Sequence, residues 1–256
     1  MKHILLPIKY FVRFLEDLGN YFLLLSKIFR SVYSWNLYLP SIVDQIIIIG
    51  IKSIPIVIII SLFSGMVTSV QAAYQLKTGL VPLWFVGSIV GESIILELAP
   101  MLTGLVMTGS IGGAIAAEIG TMRVTEQIDA LESLSYDPIS FLIMPRIAAS
   151  LIMFPVLVII ADIFGILGGL IAAQNALDLS SQEFFRGFRI WFRPWDAWFG
   201  LIKGIFFGFA ITSIACYKGY YTYGSVNSVG RATTSTVVVS CITIVLLDYF
   251  LAEILL

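Results

Sequence analysis

Long apolar stretches alternate with short polar segments along this chain. A helix that crosses a bilayer needs about 20 mostly apolar residues, because the hydrocarbon core is about 30 Å thick and each residue adds about 1.5 Å. Five stretches are long enough, so the pattern predicts five membrane-spanning helices. The predicted spans are 46–70, 80–117, 141–173, 198–217 and 236–256.

The second and third stretches are longer than one crossing requires. As a single helix, 80–117 would extend for about 57 Å, well beyond a hydrocarbon core of about 30 Å. We therefore expect this helix to tilt, break or protrude. Glu92, Glu97 and Pro100 mark the place where a break is expected, since proline and ionisable groups both disturb a helix in lipid.

The N-terminal residues, 4–29, have a different pattern. Apolar side chains recur at alternating steps of four and three, which is one stripe of a helix, while charged residues interrupt the sequence between them. This pattern predicts an amphipathic helix that lies in the headgroup region; packing against the protein's own bundle is the alternative. The chain thus divides into an interfacial region, 1–40, and a transmembrane domain, 41–256. The stripe consists of Ile4, Ile8, Phe11, Leu15, Leu18, Phe22, Leu25 and Phe29.

Composition and charge agree with a multi-pass membrane protein. Hydrophobic residues make up 59% of the chain and charged residues 12%, whereas soluble domains are about one quarter charged. The net charge of −1 offers no basic surface for nucleic acid. With the N-terminus in the cytoplasm, nine basic residues fall in inner segments and four in outer segments, as the positive-inside rule requires.

Residues 174–197 are then predicted to lie outside. Ser180 and Glu183 have the spacing of a capping box, so a helix is expected to begin there. Its basic and aromatic residues fall on different faces, which is typical of an interfacial helix with an aromatic belt. Docking of an external partner is the alternative. The basic residues are Arg186, Arg189 and Arg193, and the aromatic residues are Phe184, Phe188, Trp191 and Trp195.

The sequence lacks the common catalytic and metal-binding motifs. No Gly-Lys dipeptide occurs, so there is no Walker A loop, and neither HExxH nor CxxC is present. The one histidine, His3, lies near the terminus, and Cys216 and Cys241 are expected to be buried thiols. We therefore expect no catalytic residue, metal site or cofactor in this chain.

Ionisable residues within the spans mark pathways or ion pairs. Asp162, Lys203 and Asp248 all fall toward the outer ends of their helices, which favours a structural ion pair there. Glu97 lies in the middle of its segment and has no obvious basic partner nearby. It is expected to line a polar cavity or to hydrogen-bond a break at Pro100.

Small residues recur at four-residue spacing in several spans, and this spacing lets helix backbones approach closely in lipid. Packing within one bundle and a homodimer seam are both open interpretations. The glycines concerned are Gly109 with Gly113, Gly165 with Gly169, and Gly200 with Gly204 and Gly208.

One polar segment, EIGTMRVTEQIDALESLSYDP at 118–138, stands between the second and third spans. Its apolar residues share one helical face, and Pro138 ends the helix because proline disfavours an α conformation before it. The segment is too polar to cross, so we expect its apolar face to rest on the bundle and its acids to face the cytoplasm. It either transmits force from a soluble partner or is a simple surface loop. The apolar face comprises Val124, Ile128, Leu131 and Leu134.

Three strings that include this segment resemble one family. ELAPMLTGLVMTGSIGGAIAAEIGTMRVTEQIDAL at 97–131, PRIAASLIMFPVL at 145–157 and KGYYTYGSVNSVGRATTSTVV at 218–238, followed by LLDYF, are similar to the MlaE/YrbE-type permeases of ABC lipid transporters. The resemblance runs in order over about 40–256. It implies an all-α fold with an N-terminal interfacial helix, five transmembrane helices and a cytoplasmic coupling helix between spans two and three.

The resemblance also implies partners and site residues. Permeases of this family form homodimers, and a separate ATPase subunit, which binds ATP and Mg²⁺, docks on the coupling helix. An MCE-domain protein in the periplasm hands over phospholipid. The family's lipid pocket lies between the two protomers of the homodimer, near the ELAP-type segment, here Glu97, Leu98, Ala99 and Pro100. The residues implied to form or frame the coupling helix are Glu118, Gly120, Thr121, Arg123, Glu126, Gln127, Asp129 and Leu131.

The chain departs from the family where many or some members have arginine, namely at Leu96, Ser110 and Ser235. Any headgroup contacts of those arginines therefore cannot be transferred. The sequence is interpreted as a permease subunit for outer-membrane lipid trafficking in a bacterial inner membrane, although a plastid-envelope homologue would look similar. The alternatives are an ion- or proton-coupled transporter that uses Glu92, Glu97, Asp162 and Asp248, and an intramembrane carboxylate enzyme.

Overall fold

A computed structural model describes residues 15–28, 38–76 and 81–256 of the chain. These residues form helices and connecting turns without any strand, and five of the helices are long and apolar enough to cross a membrane. The all-α architecture with five spans is therefore confirmed. In chain order the helices are α1 (15–28), α2 (Leu39–Gln75), α3 (Leu83–Val124), α4 (Gln127–Ser133), α5 (Ile139–Leu177), α6 (Ser181–Trp191), α7 (Pro194–Tyr220) and α8 (Val226–Leu255).

The long second span does not break at Pro100. Helix α3 continues for 42 residues and contains π turns at Ile94–Leu98 and Thr108–Gly112. A π turn adds one residue to a helical turn, so the chain absorbs the proline without leaving the helix. The expected break is thus a π turn, and the helix protrudes beyond the hydrocarbon core because 42 residues extend for about 63 Å.

Helix α1 packs against the bundle and also exposes apolar side chains. Leu24 and Ile28 are buried, and the Tyr21 hydroxyl lies 2.7 Å from Ser213 Oγ. Burial raises the pKa of Tyr21. Of the predicted stripe, Leu15 and Phe22 are exposed, whereas Leu25 is partly buried against the core. Packing against the protein's own bundle is therefore present, and placement in the headgroup region stays a prediction. Four residues of the stripe, Ile4, Ile8, Phe11 and Phe29, lie outside the described residues.

Glycines allow the closest helix contacts in the bundle. A Cβ atom added to Gly65 of α2 would lie 1.8 Å from the Gly165 carbonyl oxygen of α5, so the two backbones touch. The series in α7 packs inside the same protomer, since Gly204 faces Pro155 and Gly208 faces Phe154. Packing within the bundle therefore accounts for the glycines of α7.

Helix α6 lies directly on the start of α3. The capping box is confirmed, because Ser180 Oγ accepts from the Glu183 amide and Glu183 Oε2 accepts from the Ser180 amide at 3.0 Å. The Ser180 side chain and backbone donors lower the pKa of Glu183. Ser88 Oγ donates to the Gly187 carbonyl at 2.7 Å, and Phe184 is fully buried. Helix α6 is therefore part of the packed protein as well as a candidate interfacial element.

The five spans give the bundle two ends with different connections. We call the end that carries residues 125–138 and 221–225 the Arg123 end, and the end that carries α6 the Trp191 end. Tyr217 near the Arg123 end donates to the Asp17 carbonyl oxygen at 3.0 Å, so α1 lies toward the same end.

Candidate functional site

An open groove runs between α2 and α3 in the half of the bundle nearer the Trp191 end. Its volume is about 870 Å³, and most of its wall is apolar. We call it the α2–α3 groove. The residues that line it are Ile59, Ile60, Phe63, Ser64, Val67, Thr68, Gln71, Ala72, Gln75, Ile89, Ser93, Glu97, Leu98 and Leu102.

Two of the four residues of the predicted ELAP-type segment lie in this groove. Glu97 and Leu98 line its α3 wall, whereas Ala99 and Pro100 are buried in the bundle. Glu97 and Ala99, like Leu98 and Pro100, are two positions apart, and such residues point in nearly opposite directions on a helix. Apolar side chains of the first span were expected to contact acyl chains, but none of the residues of the α2 wall was predicted individually.

A buried ion cluster lies behind the α3 wall. Lys203 of α7 is fully buried, and its Nζ lies 2.7 Å from Glu97 Oε2 and 2.6 Å from Asp248 Oδ1. The expected pairing of Lys203 with Asp248 is therefore present. The expectation that Glu97 has no basic partner nearby was wrong, since its partner comes from a helix 106 residues away in the sequence.

Pro100 explains why Lys203 reaches this part of α3. Proline has no amide hydrogen, so the carbonyl of Leu96, four residues before it, lacks its normal helical donor. Lys203 Nζ donates to that carbonyl oxygen at 3.0 Å. An unsatisfied carbonyl is costly in a membrane, and the lysine therefore stabilises the π turn as well as the two carboxylates.

Two other carboxylates lie outside this cluster. Asp162, which was expected to pair with Lys203 and Asp248, does not join them, and its Oδ1 has no hydrogen-bond partner among the residues that the structure describes. Glu92 is exposed on α3 beside Phe188 and Trp191 of α6. The four carboxylates therefore do not form one continuous path.

The segment 118–138 forms two helical pieces instead of one. Helix α3 extends through Val124, Glu126 adopts a left-handed conformation with φ of 59°, and α4 follows. Ile128 is fully buried, whereas Leu134 is 69% exposed, so the predicted apolar face is interrupted. The prediction of a single helix was wrong because Glu126 changes the chain direction, and left-handed backbone at a residue other than Gly, Asn or Asp has no clear sequence signal.

Most of the implied coupling residues lie on the surface of the Arg123 end. Thr121, Glu126, Gln127 and Asp129 are exposed, and Leu131 is half-buried. Gly120 is buried, and a Cβ atom there would lie 3.4 Å from Val229 of α8. This end of the molecule therefore presents a polar surface that rests on closely packed helices.

Arg123 links this surface to residues 221–225, which join α7 to α8. Its NH1 donates to Asp129 Oδ1 at 2.7 Å and its NH2 to the Tyr223 hydroxyl at 2.8 Å. The guanidinium also lies over the rings of Tyr220 and Tyr223, and the Tyr220 hydroxyl donates to Glu132 at 3.3 Å. We call these five residues the Arg123 clamp, because they hold α4 against α7 and the start of the next connection.

A second ion pair connects the same surface to α5. Arg146 of α5 is buried, and its NH2 lies 2.9 Å from Glu118 Oε1 while its NH1 donates to the Leu142 carbonyl oxygen at 2.6 Å. The sequence analysis did not single out Arg146. A lone arginine at the start of an apolar span was the signal that could have identified it.

The chemistry of the described residues is that of binding and support. In the ranges that the structure covers, no group of three His, Cys, Asp or Glu side chains could hold a metal ion. Cys216 is buried and Cys241 is partly buried. The two arrangements that stand out are the α2–α3 groove with its ion cluster and the polar surface at the Arg123 end.

Comparisons with known proteins agree on one family. The family model described as Permease MlaE matches residues 42–254. A probable ABC transporter permease protein of Rickettsia prowazekii is 40% identical over 96% of this chain and 94% of its own length. The intermembrane phospholipid transport system permease protein MlaE of Haemophilus influenzae is 34% identical over 85% of this chain and 84% of its own length.

A chloroplast protein is also related to this chain. The TRIGALACTOSYLDIACYLGLYCEROL 1 protein of Arabidopsis thaliana is 34% identical over 80% of this chain and 58% of its own length. The family model and the bacterial relatives each cover most of the sequence, and the five spans of the structure account for that match. The chain therefore belongs to the MlaE permease family.

Proposed function

We propose that this chain is the membrane subunit of an ABC-type transporter that moves phospholipid and is driven by a separate ATPase subunit. The α2–α3 groove is the observation that carries the proposal. It is large, it is open along the side of the bundle, and its apolar wall suits acyl chains while Ser64, Thr68 and Gln71 suit a headgroup. A lipid could enter such a groove sideways from the bilayer.

We infer that the Arg123 end faces the cytoplasm and receives the ATPase. The distribution of basic residues favours this orientation. The exposed side chains of Glu126, Gln127 and Asp129 give a soluble partner a polar docking surface there. The Arg123 clamp and the Glu118–Arg146 pair then connect that surface to α5, α7 and α8.

A second copy of the chain is the partner that fits an exposed surface of small residues on α3 and α8. On α3, Ser110 and Ala114 are exposed and a Cβ atom added to Gly109 would meet nothing within 4 Å. On the neighbouring α8, Gly230 and Thr234 are exposed as well. Such a surface gains little from contact with lipid tails and allows close helix packing, which supports the homodimer that the family resemblance implies.

The proposed setting is phospholipid trafficking to or from the outer membrane. The Haemophilus relative is named for intermembrane phospholipid transport, and we place this chain, like that system, in a bacterial inner membrane. An MCE-domain protein would then meet the Trp191 end from the periplasm. There, α6 exposes Ile190 and Trp191 beside Arg189. A plastid-envelope location is the alternative that the Arabidopsis relative raises.

Photo-crosslinking tests the groove directly. A photoreactive residue at Leu98 should form phospholipid adducts in excess of the same residue at Ile163, which is 51% exposed on α5 at a similar number of residues from the Arg123 end. The excess is expected because the groove holds a lipid longer than the bulk bilayer does. Equal labelling at both positions would contradict a lipid site in the α2–α3 groove.

Charge reversal tests the ATPase surface. We expect Glu126→Lys to weaken co-elution of the permease with its ATPase subunit at least about tenfold, about 1.4 kcal/mol, because a like charge opposes the partner's surface. Glu253→Lys is the matched control, since Glu253 is an exposed glutamate at the opposite end. Co-elution that survives Glu126→Lys would refute this docking surface. Transport by the permease alone under a proton gradient would instead favour the ion-coupled alternative.

A further inference from the structure

The α2–α3 groove contains one ionisable side chain. Of the described residues that line it, Glu97 alone can carry a charge, and its side chain is 46% exposed. No lysine, arginine or histidine is among the lining residues in the part of the chain that the structure describes. An anionic headgroup in this groove would therefore meet a carboxylate without meeting a cation.

The ion cluster behind the groove does not supply that cation. An ammonium group has three hydrogen-bond donors. Lys203 Nζ has three close oxygens, from the Leu96 carbonyl, Glu97 and Asp248, and the side chain is fully buried. Two donors make hydrogen bonds, the Asp248 carboxylate lies beside the ammonium, and the side chain is fully buried, so Lys203 does not face a phosphate in the groove.

Carboxyl groups outnumber cations in the cluster. Glu97 and Asp248 share one ammonium, that of Lys203, so the formal charge of the cluster is −1 when both carboxyl groups are ionised. A net charge at the edge of a hydrocarbon environment is unfavourable unless a counter-charge lies close to it. A cationic group that enters the groove beside Glu97 would supply that counter-charge.

The α2 wall provides a polar track for a headgroup. Ser64, Thr68, Gln71 and Gln75 recur at helical spacing along the groove toward the Trp191 end. Ser64, Gln71 and Gln75 can donate to a phosphate without adding charge, whereas the Thr68 hydroxyl already donates to the Ser64 carbonyl oxygen at 2.8 Å. Ile59, Ile60 and Phe63 continue the same wall with apolar side chains. The groove therefore has separate surfaces for acyl chains, for a phosphate and for a cationic group.

Given the proposed function, we propose that the groove selects phospholipids whose headgroup contains a cationic nitrogen, with Glu97 as its counter-ion. A zwitterionic headgroup places its ammonium beside Glu97 and its phosphate toward the polar track. A headgroup with a phosphate and no cation is disfavoured, because its negative charge faces Glu97 across a site of low dielectric. Glu97 is thus a specificity-determining residue of this groove.

Competition between two lipids tests the proposal. The transporter with a photoreactive residue at Leu98 is placed in vesicles with equal amounts of phosphatidylethanolamine and phosphatidylglycerol that have identical acyl chains, and the adducts are identified by mass spectrometry. We expect ethanolamine adducts to exceed glycerol adducts about tenfold, which corresponds to about 1.4 kcal/mol. Phosphatidylcholine should compete as well as phosphatidylethanolamine, because it also carries a cationic nitrogen.

Substitutions test whether the Glu97 carboxylate causes the headgroup preference. Glu97→Gln should reduce the preference to near equality, whereas Glu97→Asp should keep it. Glu92→Gln is the matched control, since Glu92 is exposed on the same helix outside the groove. Ser93→Lys, which places a cation in the groove without removing a member of the ion cluster, should shift labelling toward phosphatidylglycerol.

The outcomes separate this inference from the proposed function. Lipid adducts at Leu98 with no headgroup preference, or with a preference that Glu97→Gln leaves unchanged, would overturn the selectivity while leaving the lipid groove in place. No excess of adducts at Leu98 over Ile163 would remove the groove as a lipid site, and the selectivity with it.

Discussion

Replacement of Lys203 by methionine is expected to destabilise the protein more than any other single change of a charged residue in the spans. The substitution leaves Glu97 and Asp248 without a counter-ion and leaves the Leu96 carbonyl without a donor. Breaking a buried ion pair by removing one partner costs about 3–5 kcal/mol, and we expect about 3 kcal/mol because Glu97 is half-exposed. The measurement is the thermal unfolding midpoint of the protein purified in detergent.

Two further variants test whether the loss of stability comes from the ion cluster. Lys218→Met removes a partly buried lysine near the other end of the same helix and should leave the midpoint nearly unchanged. Combining Lys203→Met with Glu97→Gln and Asp248→Asn removes every formal charge of the cluster and should recover part of the loss. A Lys203→Met protein as stable as the unmodified chain would show that the cluster contributes nothing to the fold.

The spans could be predicted from the sequence because the signal for each is local. A run of about 20 apolar residues is enough to identify a crossing. The structure lengthens each predicted span, since polar residues at the ends continue the helix beyond the apolar run; the fourth, for example, begins at Pro194. The capping box of Ser180 and Glu183 was also predictable, because both partners lie within one helical turn.

The packed faces of the spans could not be predicted in the same way. In a soluble helix the buried face is apolar and the exposed face is polar, whereas in a membrane both are apolar. Phe154 is 1% exposed and Phe63 is 60% exposed, yet each lies in an apolar run. The α2–α3 groove depends on which residues of α2 face outward, and the sequence therefore identified individual residues only on the α3 wall.

The contact between Glu97 and Lys203 and the Arg123 clamp were missed for a related reason. Lys203 and Glu97 are 106 residues apart, and Arg123 and Tyr223 are 100 residues apart. Such pairs depend on how the helices are arranged in space. The sequence located Glu97, Arg123 and Asp129 as functional candidates through the family resemblance, and the structure identifies the partners that hold them.

At Ser110 and Leu96, where the family resemblance implies arginine, local hydrogen bonds satisfy the polar groups of this chain. Ser110 is exposed on α3, and its hydroxyl donates to the Val106 carbonyl oxygen at 3.1 Å, so it satisfies its own polar group within the helix. Leu96 carries no charge, and its carbonyl oxygen accepts from Lys203. Among the described residues that line the groove, Glu97 is the one charged side chain, which is the basis of the selectivity proposed above.

The Arg123 clamp offers a direct test of how the proposed ATPase surface communicates with the spans. Glu126 interrupts the helix between α3 and α4, so α4 is not a rigid extension of α3. Arg123 crosses that interruption by contacting Asp129 on α4 and Tyr223 in the α7–α8 connection. Without the clamp, α4 could move while α7 and α8 stay in place.

We therefore expect Arg123→Ala to separate ATP hydrolysis from lipid movement. In vesicles that contain the permease and its ATPase subunit, hydrolysis should change little, while lipid transfer should fall about tenfold, equivalent to about 1.4 kcal/mol of lost coupling. Lipid transfer by Arg123→Lys should lie between that of Arg123→Ala and that of the unmodified protein, because a lysine cannot hold Asp129 and Tyr223 in the planar geometry of a guanidinium. Arg193→Ala, which changes an exposed arginine at the Trp191 end, is the control and should behave like the unmodified protein. Equal transfer by the Arg123→Ala and unmodified proteins would rule out the clamp as a coupling element, since the force would then reach α7 and α8 by another route.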